Sequence, residues 1–247
     1  MTNRLSVSPD LPISICAPKK QDGKSSRSIQ IESAQPSTGC TILASEGAAT
    51  KLIPIPGAEV YYEGQFLSAE EATHWFDTLL KQCSWERRRA SFGRVVPRDE
   101  AYYGEPGTQY TYSRREYRPI AWLPELLALK ARVEQATPPA AYANSSLPYI
   151  GYNAVLCNLY RDGNDSVGLH ADAEPEMGPV IASLSLGAAR LFRLKQKNGT
   201  LAFSERLPHG SLLIMAGPTQ KNFKHEIPKE RGFTQSRINL TFRHIRH

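Results

Sequence analysis

The sequence predicts an α+β fold, with two early helices followed by many antiparallel-type strands that close into a sandwich or open barrel. Three observations predict it. Helical periodicity is confined to two windows, residues 68–83 and 123–136. From residue 152 onward, strand-length apolar runs alternate with turn residues. No internal repeat interrupts that order, so the strands belong to one unit rather than to an array.

The elements follow in chain order. Residues 1–50 are rich in Ser, Pro, Lys, Gln and Gly without period, and read as a disordered extension. The domain then runs over 51–247, with "AEVYYEG" as a first strand. "SAEEATHWFDTLLKQC" is a helix that Ser68 caps, with Glu71 completing a capping box. Its apolar stripe is Ala72, Trp75, Phe76, Leu79, Leu80 and Cys83, which leaves His74 on the surface. "RRRASFGRVVPRDEAYYGEPGTQYTYS" is basic and aromatic with Gly and Pro turns, which suits short strands and a long exposed loop. "LPELLALKARVEQA" is the second helix, with Pro124 in its first turn and Pro138–Pro139 ending it. The strands that follow are "YNAVLCNLY", "VIASLSLG", "ARLFRLKQ", "LAFSERL", "SLLIMAG" and "RINLTFRHI".

Composition excludes several classes. An apolar fraction of 40% with 22% charged residues is that of a soluble globular protein. No apolar run reaches the length of a membrane span, and the first thirty residues lack a secretory core. The expected location is therefore cytoplasmic in a bacterium or nuclear in a eukaryote, not secreted, and the expected state is a monomer. Cys16, Cys40, Cys83 and Cys157 are far apart, which argues against a disulfide framework or a structural zinc site; Cys157 reads as a buried thiol. The net charge of +6 is uneven: +1 over 1–50, −4 over 51–80, +4 over 81–118, −4 over 119–189 and +9 over 190–247. Two basic segments flank an acidic middle, a pattern that suits a polyanion such as nucleic acid, or simply a solvated basic surface.

"GLHADAE" places His170 and Asp172 two residues apart. In extended chain they point to one side and can share an ion, although H-x-D also occurs in polar loops. His225 in "KNFKHEIP" lies far enough downstream for another strand to return it to the pair, whereas in isolation it reads as a polar histidine in a strand. His209, before Gly210, reads as a turn residue. Two histidines and one carboxylate make the facial set of non-haem iron oxygenases, with positions left open for a co-substrate and dioxygen. On the C-terminal strand, Arg237, Asn239, Thr241 and Arg243 alternate with Ile238, Leu240 and Phe242. The polar face is either a wet outer surface or a lumen whose arginines hold a dicarboxylate. Asn158 and Tyr160 share one face of their strand and could bind the same acid.

Five segments occur together in one order: "NLYRDGNDSVGLHADAE", "PVIASLSLGAARLFRLK", "LPHGSLLIMAG", "FKHEIP" and "RINLTFR". Over roughly residues 52–245 the chain resembles the AlkB family of Fe(II)- and 2-oxoglutarate-dependent dioxygenases, closest to its DNA-repair members. The resemblance implies a double-stranded β-helix (jelly roll) supported by the two helices, with a nucleotide-recognition lid over about 86–118. It assigns His170, Asp172 and His225 to Fe(II). It places Arg237 and Arg243 on the carboxylates of 2-oxoglutarate, helped by Asn158 and Tyr160, with Asn239 and Thr241 beside them. The implied reaction couples O2-dependent decarboxylation of 2-oxoglutarate to hydroxylation of an N-methyl group on 1-methyladenine or 3-methylcytosine, which leaves as formaldehyde. In duplexes the base must be flipped out.

In the lid, Phe92 matches an aromatic wedge, or is core to a short strand. Tyr110 and Tyr112 border the base, and Arg98 and Glu174 contact its edge, unless Glu174 pairs with an arginine. Arg87, Arg88 and Arg89 and the basic C-terminal third meet phosphates. Ala171 and Ala173 depart from the family pattern, which bears on substrate contacts rather than on the metal. Three activities stay open: a DNA demethylase, an enzyme of the same chemistry on RNA or on a non-nucleic-acid methyl group, and a non-catalytic nucleic-acid-binding module.

Overall fold

The computed structural model of the protein describes residues 50–89, 95–112, 115–143 and 151–246. The extension expected over 1–50 lies, apart from Thr50, outside the described residues, as does Phe92. The chain opens with β1 (Lys51–Ile53), β2 (Glu59–Glu63) and the helix α1 (Ala69–Gln82). Ser68 Oγ accepts from the Glu71 N–H at 3.2 Å, and the Glu71 carboxylate accepts from the Ser68 N–H at 3.1 Å, the reciprocal cap read from the sequence. Ala72, Leu79 and Cys83 are buried, and Trp75 and Phe76 pack half-buried beside them. Leu80 is a correction. One residue past Leu79 it is rotated about 100° off the stripe, and it is exposed. His74 is exposed, as expected.

β3 (Asp99–Gly104), the short hairpin β4 (Tyr110–Tyr112) and β5 (Arg115–Tyr117), and α2 (Pro124–Ala136) follow. The rest is strand: β6 (Ala154–Tyr160), β7 (Val167–His170), β8 (Ile181–Gly187), β9 (Arg190–Gln196), β10 (Leu201–Leu207), β11 (Ser211–Ala216), β12 (Phe223–Ile227) and β13 (Arg237–Arg243). One helical turn, α3 (Thr219–Asn222), joins β11 to β12. β1 and β7 were not among the strands expected. β7 offers only Val167 and Leu169 as apolar residues around Gly168, too little for a pattern.

Two sheets stack. The larger runs β1-β2-β11-β8-β13-β6-β3 and the smaller β10-β9-β12-β7. From β6 onward the chain passes repeatedly between them, and the strand pairings are antiparallel, which makes a double-stranded β-helix, or jelly roll. The period of two sorts the side chains. Val155, Cys157 and Leu159 of β6, Ala182, Leu184 and Leu186 of β8, and Ile238, Leu240 and Phe242 of β13 pack under α1 and α2 with Leu79, Leu126, Leu129 and Val133. Their alternates face the smaller sheet, where Tyr160, Ile181 and Met215 meet Phe192, Leu194, Phe223 and Ile227. The larger sheet is thus covered on both sides, which explains the near-continuous burial of β6, β8, β11 and β13. The polar face of β13 is the lumen and not a wet surface: Arg237, Asn239, Thr241 and Arg243 are all buried.

The ends of the site-bearing strands are tied together by Arg190. Its guanidinium is fully buried. Nε donates to Glu230 Oε2 at 2.9 Å, Nη1 to Asp162 O at 2.9 Å, and Nη2 to Asp165 O and Pro228 O at 3.0 and 2.8 Å. One side chain therefore joins the β6–β7 turn to the β12–β13 connection. Gly163 is needed in that turn, because a Cβ there would lie 1.8 Å from Glu230 O.

Candidate metal centre

His225 of β12 stands directly opposite His170 of β7 in the ladder, and their ring centroids are 4.2 Å apart. Asp172 lies past the end of β7, and its Oδ1 is 3.8 Å from His170 Nε2. The i, i+2 geometry expected from an extended strand is thus met by the strand end and the segment after it. One ligand atom from each of the three residues lies within 4.8 Å of the others, a spread that a single divalent ion can bridge.

The donor chemistry fits an ion. His170 Nδ1 donates to Gly168 O at 2.9 Å, which leaves Nε2 with its lone pair toward the cluster. Burial lowers the His170 imidazole. Burial, reinforced by His170, holds His225 at about 3, so both rings are neutral at pH 7. His225 Nδ1 is buried without a hydrogen-bond partner among the described residues. Burial alone would raise the Asp172 carboxyl, but Arg243 and the two histidines outweigh it and hold it at about 2. Arg243 Nη2 grips Asp172 Oδ2 at 2.9 Å and leaves Oδ1 turned toward His170.

These residues line a cavity between the sheets with about 630 Å³ of empty space, its open mouth included. Asn158, Tyr160, Ser183, Arg237, Asn239 and Thr241 form its floor and wall. The register places Arg237 opposite Tyr160, Asn239 between Asn158 and Ser185, and Thr241 beside Ser183. Arg237 is the least satisfied group in this wall. Nη2 donates to Ser185 Oγ at 2.9 Å, its charge lies 5.3 Å from the Tyr160 ring centroid, and buried Nε and Nη1 have no hydrogen-bond partner among the described residues. Burial depresses its pKa from 12.5 to about 10. A buried guanidinium without a carboxylate is costly, and a bound dicarboxylate would satisfy it. Asn239 Nδ2 donates to Ser183 Oγ at 2.8 Å and its Oδ1 accepts from Thr241, so both orient the lumen wall.

The β4–β5 hairpin closes one side. Tyr110 and Tyr117 stack at 5.0 Å, and Tyr102 meets both edge-on. Arg243 Nη1 donates to Tyr110 Oη at 2.8 Å, and Tyr117 Oη donates to Glu100 Oε2 at 3.0 Å. Tyr112 sits edge-on to His170 at 6.1 Å. Arg98 lines the cavity, but its guanidinium is already bound. Nη2 pairs with Glu100 Oε1 at 2.5 Å, Nε donates to Asn158 Oδ1 at 2.8 Å, and Nη1 to Ser166 O at 3.2 Å. That leaves Asn158 Nδ2 as a donor into the lumen. Glu174 is half-buried outside the lining. Burial raises its pKa, and Oε2 has no hydrogen-bond partner among the described residues, so the arginine pair considered for it is not formed there.

The sequence did not single out Tyr117, Ser183, Phe192 or Met215, although all line the cavity. Ser183 and Ser185 were visible as the polar alternates of "IASLSLG". Phe192 and Met215 carried no signal that separates lumen from core.

A two-histidine, one-carboxylate cluster beside an arginine-floored lumen in a double-stranded β-helix defines a 2-oxoglutarate-dependent oxygenase of the non-haem iron class. Residues 59–243 match the 2OG-Fe(II) oxygenase superfamily. Alpha-ketoglutarate-dependent dioxygenase alkB homolog 3 of Mus musculus is 42% identical over 195 residues, covering 73% of this chain and 64% of that protein. DNA oxidative demethylase ALKBH2 of Homo sapiens is 35% identical over 217 residues, covering 81% and 78%. The solved structure of OsALKBH1 aligns with a TM-score of 0.55 at 18% identity, over 80% of this chain and 100% of that one, a likeness of fold. The chain belongs to the AlkB family of Fe(II)- and 2-oxoglutarate-dependent dioxygenases, whose cofactor set is Fe(II) with 2-oxoglutarate and O2 as co-substrates. It spans less than two thirds of the alkB homolog 3 relatives it matches. No helix among the described residues is long and apolar enough to cross a membrane.

Proposed function

We propose that this chain oxidatively demethylates N-alkylated bases, 1-methyladenine and 3-methylcytosine, in nucleic acid, with DNA as the favoured substrate and the monomer as the working unit. The observation that carries the reading is the shared cavity: the His170–Asp172–His225 cluster and the Arg237 guanidinium, which has no carboxylate partner among the described residues, open beneath a wall of tyrosines. The similarity to a protein named as a DNA oxidative demethylase supports the substrate class.

His170, Asp172 and His225 would hold Fe(II), which with 2-oxoglutarate and O2 supplies the oxidation that converts the N-methyl group to formaldehyde. The residues of the chain do the positioning. Arg237, with Asn158 Nδ2 and Tyr160 beside it, would take the far carboxylate of the co-substrate, and Arg243 keeps Asp172 ionised. Neutral histidines keep their lone pairs for the metal without a proton to displace. Tyr110 and Tyr112 would border a planar base, and the stacked pair of Tyr110 and Tyr117 shields the centre from water. We assign Phe92 as the wedge beside an extruded base and Glu174 as an acceptor for a base amino group. Arg98 would act through Asn158 and Glu100.

The test is succinate release by the full chain with Fe(II), 2-oxoglutarate and ascorbate, in the presence of DNA with or without 1-methyladenine. Stimulation by the methylated strand is expected. Equal succinate with both strands would remove base demethylation as the coupled reaction.

A further inference from the structure

The metal ligand Asp172 has an exposed weakness. It lies past the last ladder position of β7, between Ala171 and Ala173, neither of which has a side chain long enough to tie the segment down. Arg243 holds its carboxylate, yet that grip alone also permits both oxygens to turn to the guanidinium and away from His170. Something must fix the main chain. The Asp172 N–H donates to Gln220 Oε1 at 3.0 Å, across 48 residues of sequence.

We infer that Gln220 is a positioning residue for the metal centre, fixing the main chain of Asp172 so that Oδ1 faces the ion. This rests on the metal-centre reading above. Both ends of its carboxamide are specified. Oε1 accepts from Asp172, and Nε2 donates to Met215 Sδ at 3.3 Å. A flipped amide would set two donors against each other at Asp172 and its oxygen against the sulfur, so one orientation is selected.

The turn that carries Gln220 is anchored on both sides. Buried Thr219 Oγ1 accepts from the Glu59 N–H at 2.8 Å and donates to Glu59 O at 3.0 Å. Asn222 Nδ2 donates to Gly57 O at 2.9 Å. β12 begins at the next residue and carries His225. A single helical turn, docked on β2 and the turn before it, is therefore connected to two of the three ligands, to Asp172 through Gln220 and to His225 through the start of β12.

Partners that orient metal ligands are worth roughly 10- to 100-fold in metal affinity. The test is Mn(II) titration of the chelator-stripped full chain by calorimetry, with the melting temperature of each metal-free variant as the fold control. Gln220→Met keeps length and removes the acceptor. We expect it to bind Mn(II) about 10-fold more weakly or worse. Asn222→Ala removes one anchor of the turn, while the two Thr219–Glu59 hydrogen bonds keep it docked and the Gln220 bond to Asp172 in place, and should bind within about twofold of wild type. Wild-type affinity in Gln220→Met, or an equal loss in Asn222→Ala, would overturn the positioning role. His170→Ala separates the two readings. If it abolishes binding that wild type shows, the metal centre stands whatever Gln220→Met does. If wild type binds no Mn(II), both readings fall together.

Discussion

Replacing Arg237 by Met should move stability and co-substrate binding in opposite directions. In the ligand-free protein the guanidinium is fully buried, held by Ser185 and by the Tyr160 side chain, with no carboxylate partner among the described residues. The fall in its pKa from 12.5 to about 10 corresponds to roughly 3 kcal/mol of disfavour for the charged form. Against this stand the Ser185 bond, about 1–2 kcal/mol, and the contact with the Tyr160 ring, about 1 kcal/mol. Methionine fills similar space without a charge to desolvate. The ligand-free variant should therefore be unchanged or more stable by about 1 kcal/mol, a rise of roughly 2–4 °C in melting temperature for a domain of this size. With 2-oxoglutarate the sign reverses. Two charge-assisted hydrogen bonds from Nε and Nη1 are worth about 3–6 kcal/mol together, so affinity should fall at least 100-fold. Differential scanning fluorimetry without ligand and calorimetry of the Mn(II)-loaded protein with 2-oxoglutarate give the two numbers. A melting temperature lowered by many degrees, or 2-oxoglutarate affinity within threefold of wild type, would refute the reasoning.

Three further predictions concern the frame around the site. Gly163→Ala forces a Cβ to within 1.8 Å of Glu230 O and should cost at least about 3 kcal/mol, read as a lowered urea midpoint. Glu100→Ala strips buried Arg98 of its counter-ion and Tyr117 of its acceptor; a loss of about 3–5 kcal/mol in urea unfolding is expected. His209 Nδ1 accepts the Gly187 N–H at 2.8 Å and so must be neutral there, and burial lowers its pKa below the ordinary 6.5. Its contribution is fully present above pH 6.5 and is lost as pH falls through the lowered folded value. The urea midpoint of metal-free protein should therefore drop on acidification below pH 6.5, and His209→Gln should flatten part of that drop.

What could be read from the residues alone follows a physical division. α1 was legible to its cap because Ser68 and Glu71 act locally, and β13 because its alternation is strict. Which face of β13 is wet was not legible. Arg237 to Arg243 read equally as a solvent face or a lumen until the smaller sheet covered them. β7 was hidden because it is a short edge strand with a single ladder neighbour, and needs little apolar pattern to sit there. His209 read as a turn residue, and it is one, but its ring also bridges Gly187 and Thr73. Arg98 was legible as part of the site, while its engagement by Glu100 and Asn158 depends on β3 lying beside β6. Gln220 carried no signal, since its partner lies 48 residues away and its turn spans only four.

The most direct measurement uses a DNA oligonucleotide carrying one 1-methyladenine, incubated with the full chain, Fe(II), 2-oxoglutarate and ascorbate and weighed by mass spectrometry. The expected result is loss of the mass of one CH2 unit, a hydrogen replacing the methyl group, dependent on 2-oxoglutarate and abolished in Asp172→Ala. An oligonucleotide of unchanged mass, with protein shown to be folded and metal-loaded, would contradict it.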